Sequence, residues 1–116
     1  MADVINGLAG MDTITALAGD DEVNGGAGND TIDGEAGNDT LDGNAGNDTV
    51  AGGIGDDTIS GGAGDDTLNG NAGIDTIEGN AGNDIIDGGA GDDMLTGNAR
   101  ATPNRSKQNN FRRFSP

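Results

Sequence analysis

The chain contains no cysteine, histidine, tryptophan or tyrosine, and only two phenylalanines and two prolines among its 116 residues. Without cysteine there are no disulfides, thiolate metal sites or sulfur nucleophiles. Without histidine, the usual general base and the usual transition-metal ligand are missing. No apolar run approaches the ~18 residues that a transmembrane helix needs, so no helical span is expected. The opening Met1-Ala2-Asp3-Val4-Ile5-Asn6-Gly7 lacks a basic n-region and an apolar h-region, so it does not read as a Sec signal peptide. Cations are also scarce: five against 21 acidic side chains, for a net charge of −16. All five (Arg100, Arg105, Lys107, Arg112 and Arg113) follow residue 97, whereas every carboxylate lies between Asp3 and Asp93. The chain therefore divides into an acidic body, residues 1–96, and a basic tail, residues 97–116, which is expected to be disordered. A body so charged and free of aromatics either stays unfolded or is folded by something cationic. The composition argues against an ordinary globular enzyme.

Glycine is abundant, with 24 residues, and its spacing is regular. From Gly7 to Thr96 the sequence is ten units of nine residues without insertion or deletion. Position 4 is always Gly, position 6 always Asp, and position 8 always Ile, Leu or Val; position 1 is Gly in all units except at Ala16. Gly, and after it Asn, tolerates positive φ, so positions 1, 2 and 4 are read as a tight turn that a Cβ would obstruct. Positions 7 to 9 alternate polar, aliphatic, polar, as in Thr40-Leu41-Asp42, which is the pattern of a short half-buried strand. No helical period is present, and the recurrent glycine disfavours one. The expected fold is all-β: a parallel β-roll in which two nine-residue units complete one coil. Ile14, Ile32, Val50, Leu68 and Ile86 would stack on one sheet, and Val23, Leu41, Ile59, Ile77 and Leu95 on the other. One inward aliphatic residue per nine is a thin core for so many ordered residues, and the carboxylates repel, so a ligand is needed.

The period identifies that ligand. In a two-unit coil, the position-6 residues Asp12, Asp21, Asp30, Asp39, Asp48, Asp57, Asp66, Asp75, Asp84 and Asp93 form two files, with neighbours about 4.8 Å apart. Carboxylates so close repel unless a cation sits between them. Hard carboxylate oxygens combined with carbonyls bared by a glycine turn make an all-oxygen site suited to Ca²⁺; Mg²⁺ prefers a tighter octahedron, and zinc prefers nitrogen or sulfur. Ten turns paired two units apart leave about eight such sites.

Units such as Gly25-Gly26-Ala27-Gly28-Asn29-Asp30-Thr31-Ile32-Asp33 and Gly61-Gly62-Ala63-Gly64-Asp65-Asp66-Thr67-Leu68-Asn69 resemble the RTX, or hemolysin-type, calcium-binding nonapeptide G-G-x-G-x-D-x-U-x. The resemblance spans residues 7–96. It implies a right-handed parallel β-roll in a secreted bacterial protein that is disordered at cytosolic calcium and folds outside the cell. It also implies that Ca²⁺ is held by the position-6 aspartates and by backbone carbonyls of the turns. Carried onto this sequence, those carbonyls are Gly25, Gly26, Ala27 and Gly28, then Gly34, Ala36 and Gly37, then Gly43, Ala45 and Gly46, and then Gly52, Gly53 and Gly55. They continue with Gly61, Gly62, Ala63 and Gly64, then Gly70, Ala72 and Gly73, then Gly79, Ala81 and Gly82, and finally Gly88, Gly89, Ala90 and Gly91. Leu8, Ala16 and Leu17 replace turn glycines and Met11 a polar position 5, so the strongest binding is expected from Gly25 onward.

Solvation of a disordered acidic repeat would not require Asp at one register in every unit. The acids at position 5 (Asp20, Asp56, Asp65, Asp92) and position 9 (Asp33, Asp42, Glu78, Asp87) are read as solvated surface with no special role, the alternative being that position-5 side chains touch metal in a minority of turns. The pairs Asp56-Asp57, Asp65-Asp66 and Asp92-Asp93 merely repeat, whereas acid–base catalysis needs one differentiated site; the module is read as non-enzymatic. EF-hand spacing is absent, and no Lys-Ser/Thr follows a glycine turn as a P-loop requires. Thr31, Thr40, Thr49, Thr58, Thr67 and Thr76 would form outward rows, interrupted by Glu22, Ile85 and Met94. Such rows admit an ice-binding or adhesive surface as the alternative function, against plain β propensity on an exposed strand. The tail's Phe111-Arg112-Arg113-Phe114 admits weak contact with anionic lipid or nucleic acid as the alternative to plain disorder, and the body's charge repels nucleic acid in any case. The part-units Asp3-Val4-Ile5-Asn6 and Gly97-Asn98-Ala99 leave room for flanking repeats or an effector domain in a longer protein.

Overall fold

The computed structural model describes residues 2–97; the expectation of a disordered tail falls almost wholly outside them. Eleven strands of three residues each follow the period. They are β1 (Val4–Asn6), β2 (Thr13–Thr15), β3 (Glu22–Asn24), β4 (Thr31–Asp33), β5 (Thr40–Asp42), β6 (Thr49–Ala51), β7 (Thr58–Ser60), β8 (Thr67–Asn69), β9 (Thr76–Glu78), β10 (Ile85–Asp87) and β11 (Met94–Thr96). Consecutive strands alternate between two parallel sheets. One has the order β1-β3-β5-β7-β9-β11, the other β10-β8-β6-β4-β2. Each strand pairs with the strand two units away at an offset of 18 residues, as in Ile14↔Ile32 and Val23↔Leu41. The molecule is a parallel β-roll of about five coils.

The two expected stacks form the core. Ile14, Ile32, Val50, Leu68 and Ile86 line one sheet, and Val23, Leu41, Ile59 and Ile77 the other, all buried. Ile5 and Leu95 pack against the core and are only partly buried. Ile5 extends the second stack because the part-unit at Asp3–Asn6 supplies a full strand. A three-residue strand has one inward side chain, which is why a single aliphatic per unit suffices to define the face. The threonine rows stand outward in register, Thr13, Thr31, Thr49 and Thr67 on one sheet and Thr40, Thr58 and Thr76 on the other. Alanines and one isoleucine at position 3 bridge successive coils outside the strands, as at Ala27↔Ala45 and Ala36↔Ile54.

The turn differs from the sequence reading in one respect. Positions 2 and 4 have positive φ in all ten units, but position 1 does not. Where position 1 is Gly, space is short: a Cβ on Gly25 would lie 2.6 Å from Asp30 Oδ2 and 3.0 Å from the Gly43 carbonyl oxygen, although the buried Ala16 is accommodated in the second unit. Position 2 accepts Glu35, Asn44, Asn71 and Asn80 at φ of 67–70°. Leu8 and Leu17 occupy the same region at φ 74° and 76°, with a strain of about 1–2 kcal/mol each.

Candidate metal centre

The turns place the position-6 aspartates in two files along the edges of the roll. Asp12, Asp30, Asp48, Asp66 and Asp84 follow one edge, and Asp21, Asp39, Asp57, Asp75 and Asp93 the other. Asp3 extends the second file: its N–H donates to Asp21 Oδ1 at 2.7 Å. All ten aspartates from Asp12 to Asp93 are buried apart from Asp12, which is half-buried. Each Oδ1 that faces an earlier coil accepts the backbone N–H of the aspartate 18 residues before it. Asp48 accepts from Asp30 at 2.8 Å, Asp57 from Asp39 at 2.9 Å, and Asp75 from Asp57 at 2.8 Å. In all ten residues the second oxygen, Oδ2, is buried and has no hydrogen-bond partner.

Ten buried carboxylate oxygens without a partner are costly. None of the five cationic side chains of the chain lies within the described residues. Burial pushes the Asp48 and Asp57 carboxyls up to about 6, Asp66 to about 7 and Asp75 to about 8. Asp39, Asp84 and Asp93 are raised for the same reason. The N–H bond from the preceding coil opposes the shift, and neighbouring carboxylates reinforce it.

The donor set fits a hard cation. Among the described residues no three acidic side chains converge, so backbone carbonyls must complete any coordination shell. Carbonyls at positions 2 and 3 already accept hydrogen bonds between coils, as Gly26 and Asn44 do from Ala45 and Ala63, and Ala45 and Ala63 from Gly28 and Gly46. The position-1 carbonyl is placed differently: Gly43 O and Asp30 Oδ2 flank the same Gly25 Cα. The orphaned Oδ2 atoms and the carbonyls beside them are all oxygen, the chemistry that Ca²⁺ takes.

The position-5 side chains have a role that the sequence reading missed. Asp20, Asp56 and Asp65 are exposed, yet together with Asn29, Asn38 and Asn47 each accepts the position-5 N–H of the next coil. Asn38 donates to Asp20 and Asp56 to Asn38, both at 2.9 Å; Asn47 donates to Asn29 at 2.8 Å, and Asp65 to Asn47 at 2.9 Å. The confinement of position 5 to Asn or Asp in eight units was the available signal. Ile74 and Met11 cannot serve, and Ile74 offers no oxygen to Asp92. The replacement Ile74→Asn should therefore stabilise the roll by about 0.5–1.5 kcal/mol, the worth of one such bond. Denaturant unfolding of the calcium-loaded protein would check it, and an unchanged midpoint would contradict the ladder's role.

Two stacked parallel sheets, glycine turns and paired files of buried carboxylates define a calcium-type β-solenoid. The chain matches the RTX calcium-binding nonapeptide repeat, four copies per match, over residues 1–32, 25–59, 33–68, 42–77 and 69–99. It belongs to that family. Comparison with curated proteins and with solved structures gave no match.

Proposed function

We propose that residues 1–96 form a calcium-binding module whose rolled state is linked to Ca²⁺ occupancy. The observation that carries this reading is the series of ten buried Asp Oδ2 atoms without a partner. The ligands are the aspartates from Asp12 to Asp93 with the turn carbonyls beside them, in about eight sites between coils. An ion that binds the roll and not the extended chain stabilises the roll by mass action. Neighbouring coils share the inter-turn gaps, so occupancy is cooperative along the stack. An affinity of ~10⁻⁴–10⁻³ M, as in extracellular modules, leaves the chain unrolled in cytosol and rolled outside it. The module then serves a secreted protein of toxin, hydrolase or adhesin type as a folding element or spacer, with no catalytic residues of its own.

Far-UV circular dichroism of the full chain, titrated from chelator to millimolar Ca²⁺ with Mg²⁺ as control, tests the reading. A cooperative coil-to-β change specific to Ca²⁺ is expected. Asp57→Ala should move the midpoint to at least about tenfold higher Ca²⁺, whereas Asp20→Ala, outside the files, should move it far less, since only one ladder hydrogen bond is lost. Equal responses of the two variants, or of the two cations, would refute it.

A further inference from the structure

Three Asn-Gly bonds, Asn6-Gly7, Asn24-Gly25 and Asn69-Gly70, lie at the junction of positions 9 and 1. Asn-Gly is the sequence most open to spontaneous deamidation, because glycine has no Cβ to hinder the approach of its backbone nitrogen. The glycine nitrogen gives up its proton and attacks the Asn Cγ, ammonia leaves, and a five-membered succinimide closes. Water then opens the ring to aspartate or isoaspartate, so that the net change is one water consumed and one ammonia released.

The roll blocks this reaction at its nucleophile. Gly7, Gly25 and Gly70 donate their N–H groups to the carbonyls of Asn24, Asp42 and Asp87 at 2.8, 2.8 and 2.9 Å. Each asparagine ends a strand, β1, β3 or β8, whose extended backbone keeps the side chain away from the next nitrogen. Two of the side chains are also engaged: Asn69 Oδ1 accepts the Asn71 N–H at 3.2 Å, and Asn24 Oδ1 accepts the Asn44 side-chain amide.

We propose that these three asparagines are modification sites gated by the roll: protected in the rolled state and deamidated in the unrolled one. The inference rests on the calcium-linked rolling proposed above. The products do not fit back. Aspartate at position 24 would face Asp42, and at position 69 would face Asp87, in each case a like charge directly across the ladder. Isoaspartate adds one backbone methylene immediately before a position-1 glycine, where Asp30 Oδ2 and the Gly43 carbonyl leave no space around Gly25. A chain held without calcium thus loses its register irreversibly, and the unrolled state carries its own clock.

The test is incubation of the full chain at mildly alkaline pH in chelator or in saturating Ca²⁺. Peptide mass spectrometry follows the one-dalton gain at each asparagine, and circular dichroism is recorded on the same samples. In chelator all three sites should react. In Ca²⁺, Asn24 and Asn69 should slow by more than about tenfold, the suppression set by the rarity of local opening. Asn6, on the edge strand, should slow less. After ageing in chelator, added Ca²⁺ should restore the β spectrum of the variant N6S/N24S/N69S but not of the parent; Ser60 shows that position 9 accepts serine. A rolled spectrum with equal rates in the two solutions overturns the gating alone. Equal recovery of parent and variant overturns the loss of register. A chain that stays coil throughout removes both this inference and the calcium reading.

Discussion

Gly55→Ala should abolish the roll. Gly55 has φ 129°, a region that L side chains rarely adopt, and a Cβ there would overlap the Gly37 carbonyl oxygen, well inside van der Waals contact. Neither group can yield, since both belong to backbones locked by bonds between coils: Gly37 N–H to Ile54 O at 2.9 Å and Gly55 N–H to Ala72 O at 3.1 Å. Backbone strain and overlap together place the cost above about 4 kcal/mol, beyond most single substitutions. The control is Asn44→Gly at position 2, where Gly26 and Gly62 hold the corresponding places two units away; its effect should stay within about 1 kcal/mol. Calcium titration followed by circular dichroism separates the two. A Gly55→Ala chain that rolls with the midpoint of the parent would show that the described turn is wrong.

Acid should partly replace the cation. Asp48, Asp57, Asp66 and Asp75 titrate near 6, 6, 7 and 8 in the roll, against 3.8 for an unperturbed side chain. The folded values lie above the unfolded one, so the roll binds protons more tightly than the coil does. The resulting stability is fully present below about pH 3.8 and is lost as the pH rises through 6 to 8. In chelator the chain should therefore gain β signal on acidification. Asp75→Asn tests the cause. It removes one buried charge and keeps an oxygen for the Asp57 N–H, and it sets an amide nitrogen beside the Gly88 carbonyl that flanks Gly70 with Oδ2. The variant should hold the metal-free roll to higher pH and need more Ca²⁺ to saturate. A shift of both quantities in the same favourable direction would separate the carboxylate from metal binding.

Most of the fold was legible because the repeat gives every strand the same three-residue pattern. The period alone assigned Ile32 and Leu41 to opposite sheets, and the structure pairs Ile32 with Ile14 and Val50, and Leu41 with Val23 and Ile59. The two files of position-6 aspartates were legible for the same reason, whereas their burial was not. What was not legible depends on close approach. Glycine at position 1 looks in sequence like glycine at positions 2 and 4, yet it answers to the carboxylate five residues on rather than to backbone conformation. The Asn and Asp residues at position 5 looked like solubility, because a hydrogen bond spanning 18 residues leaves no local pattern beyond a restricted choice of side chain. Asp3 fell in phase with the aspartates, but its place in the file depends on β1 having a partner in β3.

The alternation of strands between two sheets gives the molecule a parity. Removing one nonapeptide from the middle would move every later unit to the opposite sheet and the opposite edge. Ile54 and Ile74, now exposed along the same edge, would be parted by any single-unit change between them, and Ile85 would leave its place beside Thr67 for the other row. Removing 18 residues, the register offset between paired strands, shortens the stack by one coil and leaves each surviving residue on its own sheet and edge. Length in this architecture is therefore counted in pairs of units, and an odd change is a rearrangement rather than a truncation.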